Sequence, residues 1–100
     1  MSSDSTSHER REYPRRDIIA TAQVYRNDQE RPYPGKIFNI SPKGLYIETD
    51  ASLEVGEFFW VKVVQSMELR QGDTYRCLVI RQGSAQDYNS GLYAYGAQFL

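Results

Sequence analysis

From residue 17 onward the chain alternates apolar and polar side chains with a period close to two, in short runs separated by turn residues. Ile18, Ala20, Ala22 and Val24 alternate with Ile19, Thr21, Gln23 and Tyr25, which predicts a first strand. Asn27, Asp28, Gln29 and Glu30 form a polar turn, and Pro32, Pro34 and Gly35 keep the next stretch from being helical. Residues 36–39 read as a second strand and residues 44–49 as a third, with Leu45 and Ile47 on one face and Tyr46 and Glu48 on the other. A turn at residues 53–56 leads into a fourth strand over residues 57–65, rich in Val and aromatics. Gln71, Gly72 and Asp73 close a hairpin whose returning strand spans residues 74–82. After a polar loop over residues 83–91, residues 92–99 alternate again. No segment carries an apolar stripe of helical period. The expectation is all-β: six antiparallel strands arranged as a barrel or a sandwich. Closure into a barrel removes the exposed edges that so many short strands otherwise leave.

The length of 100 residues fits a single domain with a modest core, and 40% hydrophobic with 25% charged residues is ordinary for a globular chain. Net charge is −1 and the pI about 5.8, so no global field draws the chain onto a nucleic acid polymer. One cysteine, Cys77, excludes an intramolecular disulfide and fits a reducing compartment. The first residues, Met, Ser, Ser, Asp, Ser, Thr and Ser, lack the apolar region of a secretory signal. No apolar run approaches the roughly 18 residues of a membrane span. These features point to a cytoplasmic protein without membrane insertion. Residues 1–9 are polar and unanchored and read as a disordered tail, residues 10–16 as a flexible arm, and residues 17–100 as the barrel.

Positive charge is local. Four of the 12 Lys and Arg residues are Arg10, Arg11, Arg15 and Arg16, gathered just before the first strand. Downstream, Asn39, Ile40, Ser41, Pro42, Lys43 and Gly44 form a turn between the second and third strands. The two clusters read R-x-x-x-R (Arg11, Arg15) followed by N-x-S-x-x-G (Asn39, Ser41, Gly44), ahead of a strand ending in Tyr95, Gly96, Ala97, Gln98 and Phe99. In that order, over residues 10–99, the chain resembles the PilZ domain, a small β-barrel family whose members bind cyclic di-GMP. The resemblance implies a six-stranded antiparallel PilZ-like barrel with a flexible N-terminal arm. Many members continue into a C-terminal helix, and no such helix is expected here.

The resemblance carries over Arg11, Arg15, Asn39, Ser41 and Gly44 as ligand-binding residues. Arg10 joins them, because an extra arginine there often accompanies an intercalated ligand dimer, so two molecules per domain are favoured. The chemistry is apt: a guanidinium pairs bidentately with phosphate or with guanine O6 and N7, and its face stacks on a base. Asn39 can donate and accept at a guanine edge, and Ser41 adds a small hydroxyl. Gly44, lacking Cβ, is expected to let backbone and ligand approach and to supply unusual turn dihedrals. Closing the arm over the ligand fixes residues at about 1–2 kcal/mol each, offset by charge-assisted hydrogen bonds of about 1.5–3 kcal/mol. Pro14 lowers the cost by restricting the arm beforehand. The expected function is a receptor whose arm orders on binding and signals to a downstream protein partner.

Plainer readings exist for each residue. The arginines alone would be a solvated basic arm, and residues 39–44 a hairpin turn. His8 reads as solvated and Cys77 as a buried apolar residue. Phe58, Phe59 and Trp60 read as core or barrel surface, and Arg81 as either a solvent-facing charge or a pocket edge, the former favoured. A ligand-independent PilZ-like interaction domain in motility or pilus assembly is the alternative function. An OB-like barrel that stacks single-stranded nucleic acid on its tyrosines stands third. One histidine and one cysteine provide neither a metal cluster nor a nucleophilic triad, so no enzyme, metal or cofactor is expected, cyclic di-GMP being the ligand.

Overall fold

The computed structural model of the chain describes residues 16–26, 31–84 and 91–100. The expected tail, and the arm with Arg10, Arg11 and Arg15, lie outside the described residues. The strands are β1 (Arg16–Tyr25), β2 (Tyr33–Ile40), β3 (Gly44–Thr49), β4 (Phe58–Ser66), β5 (Thr74–Gly83) and β6 (Tyr93–Phe99). All pair antiparallel and close in the order β1-β2-β3-β6-β5-β4, with β4 returning to β1. The barrel, not the sandwich, is the outcome, and the described residues contain no helix.

Alternation fills the interior as expected. Ile18, Ala20, Ala22 and Val24 of β1 face inward, as do Phe59, Val61 and Val63 of β4, and all are buried. Each fully buried Val or Phe contributes about 1.5–3 kcal/mol of transfer free energy. Tyr95 is the largest fully buried side chain. Its hydroxyl accepts from Leu53 N–H at 2.7 Å and donates to the Ala51 carbonyl at 3.2 Å, which ties the β3–β4 connection to the barrel end. A buried phenol without such partners would be costly.

β2 begins at Tyr33, earlier than alternation predicts, because Pro34 fits at a strand start where its missing N–H is not required. Pro34 pairs with Gln23, and its carbonyl accepts from Thr49 Oγ1 at 2.8 Å.

Strict alternation fails at four places, and two of them set the outer surface. On β2, Ile37 opposes Ile47 and Asn39 opposes Tyr46, so Phe38 is an extra residue. On β5, Val79 opposes Ala97 and Arg81 opposes Gly96, so Ile80 is extra. The others are in β1 between Asp17 and Ala20, and in β4 near Val64. A bulge flips the facing of every residue beyond it. Continued alternation from Ile37 and Val79 would turn Asn39 and Arg81 inward; the bulges turn both outward.

Candidate functional site

Cross-strand pairing places a lateral row on the outer face of the barrel. Asp17 pairs with Asn39, Asn39 with Tyr46, Tyr46 with Gly96, and Gly96 with Arg81. Residues paired directly across a sheet share a face. The row thus runs carboxylate, amide, phenol, gap, guanidinium, the gap being the glycine.

Around this row lies an open cleft of about 200 Å³, lined by Asn39, Ser41, Lys43, Gly44, Leu45 and Tyr46 on one side and by Ile80, Arg81, Gly96, Ala97 and Gln98 on the other. Among the described residues, the charged side chains of the lining are Lys43 and Arg81, which favours an anion. Leu45, Ile80 and Ala97 add apolar surface, the mixture that suits a planar polar ligand.

The turn side is built locally. Ile40 pairs with Leu45, and Ser41 N–H donates to the Gly44 carbonyl at 2.9 Å. Ser41 Oγ accepts from Lys43 N–H at 3.2 Å, which leaves the hydroxyl proton for another acceptor. The Lys43 carbonyl in turn accepts from Phe99 N–H at 2.8 Å, fastening the turn to the end of β6. Ser, Pro and Gly at the first, second and fourth positions fit a type I turn, and the negative φ of Lys43 excludes type II.

Gly44 lines the cleft, but the reason for a glycine there differs from the expected one. Its φ is not positive, so no unusual dihedral is involved. A Cβ at this position would collide with the Ala97 carbonyl oxygen of β6. The glycine is required by close strand approach inside the protein.

The opposite side is assembled from β3, β5 and β6. Arg81, favoured from the sequence as a solvent-facing charge with a pocket edge as the alternative, is exposed and sits at the cleft edge with its side chain across Gly96. A Cβ on Gly96 would lie 3.0 Å from Arg81 Nε and 3.3 Å from Cζ. The Tyr46 hydroxyl donates to the Ser84 carbonyl at 3.2 Å, and its ring edge lies close over Gly83. Burial pushes the Tyr46 phenol above its ordinary value, Glu48 pushes it the same way, and Arg81 opposes them.

A second groove of about 390 Å³ continues past Asn39 and Tyr46, lined also by Asp17, Ile18, Ile19, Phe38 and Glu48. Glu48 lies on the outward side of β3, yet only 1% of it is exposed. Sequence reasoning placed Glu48 on that side without foreseeing a buried carboxylate beside Asn39. Of the expected ligand residues, the structure brings Asn39, Ser41 and Gly44 to one cleft. Arg10, Arg11 and Arg15 lie outside the described residues; β1, which follows them, starts with Arg16 opposite Ile40 and Asp17 opposite Asn39. Among the described residues no group of three or more His, Cys, Asp or Glu able to hold a metal ion occurs, and there is no helix long and apolar enough to cross a membrane.

The chain is thus a closed six-stranded antiparallel barrel with an external cleft at its β2–β3 turn. The PilZ domain family model matches residues 9–100, and the chain belongs to that family, whose members are generally cyclic di-GMP receptors. Among solved structures, the chain is similar to the Bacillus subtilis inhibitor of motility MotI/DgrA, with a TM-score of 0.60 and 20% identity over 91% of this chain. The match spans 42% of that protein, which carries further sequence beyond it. A search of curated proteins by sequence finds no match.

Proposed function

We propose that this PilZ domain is a cyclic di-GMP receptor, cytoplasmic, whose arginine arm closes on the ligand and signals to a protein partner. The observation that carries the reading is the convergence of Asn39, Ser41 and Gly44 on one cation-lined cleft. β1 enters the barrel directly beside that cleft, with Asp17 opposite Asn39. In this reading Arg11 and Arg15 engage phosphate and guanine edges, Arg10 supports a second, intercalated ligand molecule, and Asn39 and Ser41 supply the fixed polar contacts. The domain binds rather than catalyses.

Titration calorimetry with cyclic di-GMP tests this directly. The expected result is saturable binding with two ligand molecules per domain. Arg11→Ala or Arg15→Ala should weaken it roughly tenfold to a hundredfold, as loss of one charge-assisted bidentate contact predicts. Absence of heat and saturation with the unsubstituted protein rejects the proposal.

One observation favours a ligand-independent interaction domain as the second reading. Phe58 and Trp60 on the outer face of β4 are exposed, and the Arg76 guanidinium lies 5.5 and 5.7 Å from their ring centroids. Aromatic residues flanking an arginine are characteristic of protein-binding surfaces. Capture of a partner unaffected by cyclic di-GMP would support that reading.

A further inference from the structure

We infer that Arg81 contacts the ligand as a stacking platform and that Gly96 is the positioning residue that seats it. This rests on the receptor reading above and adds a far wall to the cleft, opposite Asn39 and Ser41. Three observations converge on it. The Ile80 bulge turns Arg81 onto the outer face, where unbroken alternation would have turned it into the core. Gly96 pairs with Tyr46 on one side and Arg81 on the other, leaving a gap in the row where any other residue would project a side chain. The Arg81 side chain occupies that gap, close enough that a methyl on Gly96 would press on its Nε, Cγ and Cζ atoms.

A guanidinium supported from beneath by backbone presents its other face to whatever enters the cleft. Planar, charged and weakly hydrated, that face suits a purine base carried by an anionic backbone. Lysine would keep the charge and lose the plane. Tyr46 pairs with Gly96 and lines the same cleft, with its ring edge over Gly83. The purine of a guanine dinucleotide is the moiety that fits this surface, with its phosphates directed to the Ser41 turn.

The test is a binding cycle with cyclic di-GMP on the full chain, using the unsubstituted protein, Arg81→Ala, Arg81→Lys, Gly96→Ala and the Arg81→Ala/Gly96→Ala pair. Arg81→Ala is expected to weaken binding roughly tenfold, the scale of one stacked contact. Arg81→Lys should weaken it nearly as much. Gly96→Ala should weaken it several-fold when Arg81 is present and add nothing when Arg81 is already Ala, because the glycine acts only through the arginine. Thermal melts should be unchanged for the Arg81 variants, since the side chain is exposed; Arg81→Gln serves if Arg81→Ala folds poorly. Unsubstituted protein that binds while Arg81→Ala and Arg81→Gln bind equally well overturns this inference and leaves the receptor reading standing. Full rescue by Arg81→Lys overturns the stacking role in favour of charge alone. An additive Gly96 effect overturns the seating role. Failure of the unsubstituted protein to bind overturns both proposals together.

Discussion

The two walls of the cleft use glycine for opposite purposes. On the turn wall, Gly44 is crowded from within: the Ala97 carbonyl of β6 occupies the space a Cβ would need, and the turn is fastened to β6 through the Lys43 carbonyl and Phe99 N–H. On the far wall, Gly96 is bordered by side chains, chiefly the end of a flexible arginine. Backbone cannot move aside without shifting a strand, whereas an arginine can rotate away. The first glycine therefore belongs to the stability of the barrel and the second to the shape of its surface. A motif residue that lines a binding cleft can still be there for the fold, and a glycine outside the motif can serve the cleft.

The sharpest way to break this contrast is Gly44→Ala. Overpacking against backbone should destabilise the protein by about 2–3 kcal/mol, read by urea denaturation at constant m-value. An unchanged midpoint would show that β3 and β6 part easily, and the turn wall would then not be the rigid half of the site. Gly72→Ala provides the intermediate case. Gly72 has φ +92° with nothing near its missing Cβ, so the substitution meets conformational strain but no clash. A loss of about 1 kcal/mol is expected. If Gly72→Ala cost more than Gly44→Ala, dihedral strain rather than strand contact would be the dominant demand on glycine here.

The same contrast explains what could be read from residues alone. The interior was legible, because Ile18 to Val24, Phe59 to Val63 and the turn residues each act through local alternation or local dihedrals. The turn that holds Asn39, Ser41 and Gly44 was legible from local chemistry, while their grouping as a site came from the PilZ resemblance. Arg81 could be read as a surface charge or a pocket edge, but its meeting with Gly96 could not, because the two come together only when β5 and β6 pair, 15 residues apart in sequence, and because a bulge at Ile80 decides which way Arg81 faces. Period-two reasoning assumes that facing is preserved along a strand, and a single extra residue reverses it. The same limit hid the buried Glu48, whose outward position was evident but whose covering was not. The start of β2 at Tyr33 was missed because proline was weighed as a breaker, although the start of a strand accommodates it.

β5 offers a final and smaller test, since it presents both regimes on one strand. Before the bulge, Cys77 faces inward and is fully buried; after it, Arg81 faces the cleft. Burial alone pushes the Cys77 thiol up to about 12, from an ordinary value of 9.0. The thiolate is the reactive form, so the native protein at pH 8 should label with a thiol reagent only through opening of the barrel. The linkage has a definite sign. The folded state holds the thiol proton more tightly, so its contribution to stability is complete below about pH 9 and is lost as pH rises from there through about 12. Tyr46, Tyr75 and Tyr95, each raised chiefly by burial, add losses of the same sign beyond the ordinary tyrosine value. Denaturation midpoints measured between pH 8 and pH 10 should therefore fall for the unsubstituted protein and fall less for Cys77→Ala. Fast stoichiometric labelling at pH 8 without unfolding would mean that β5 is loose on its inward side. A strand that mobile could not hold Arg81 in register with Gly96, so the thiol on the core side reports on the fixity of the cleft wall.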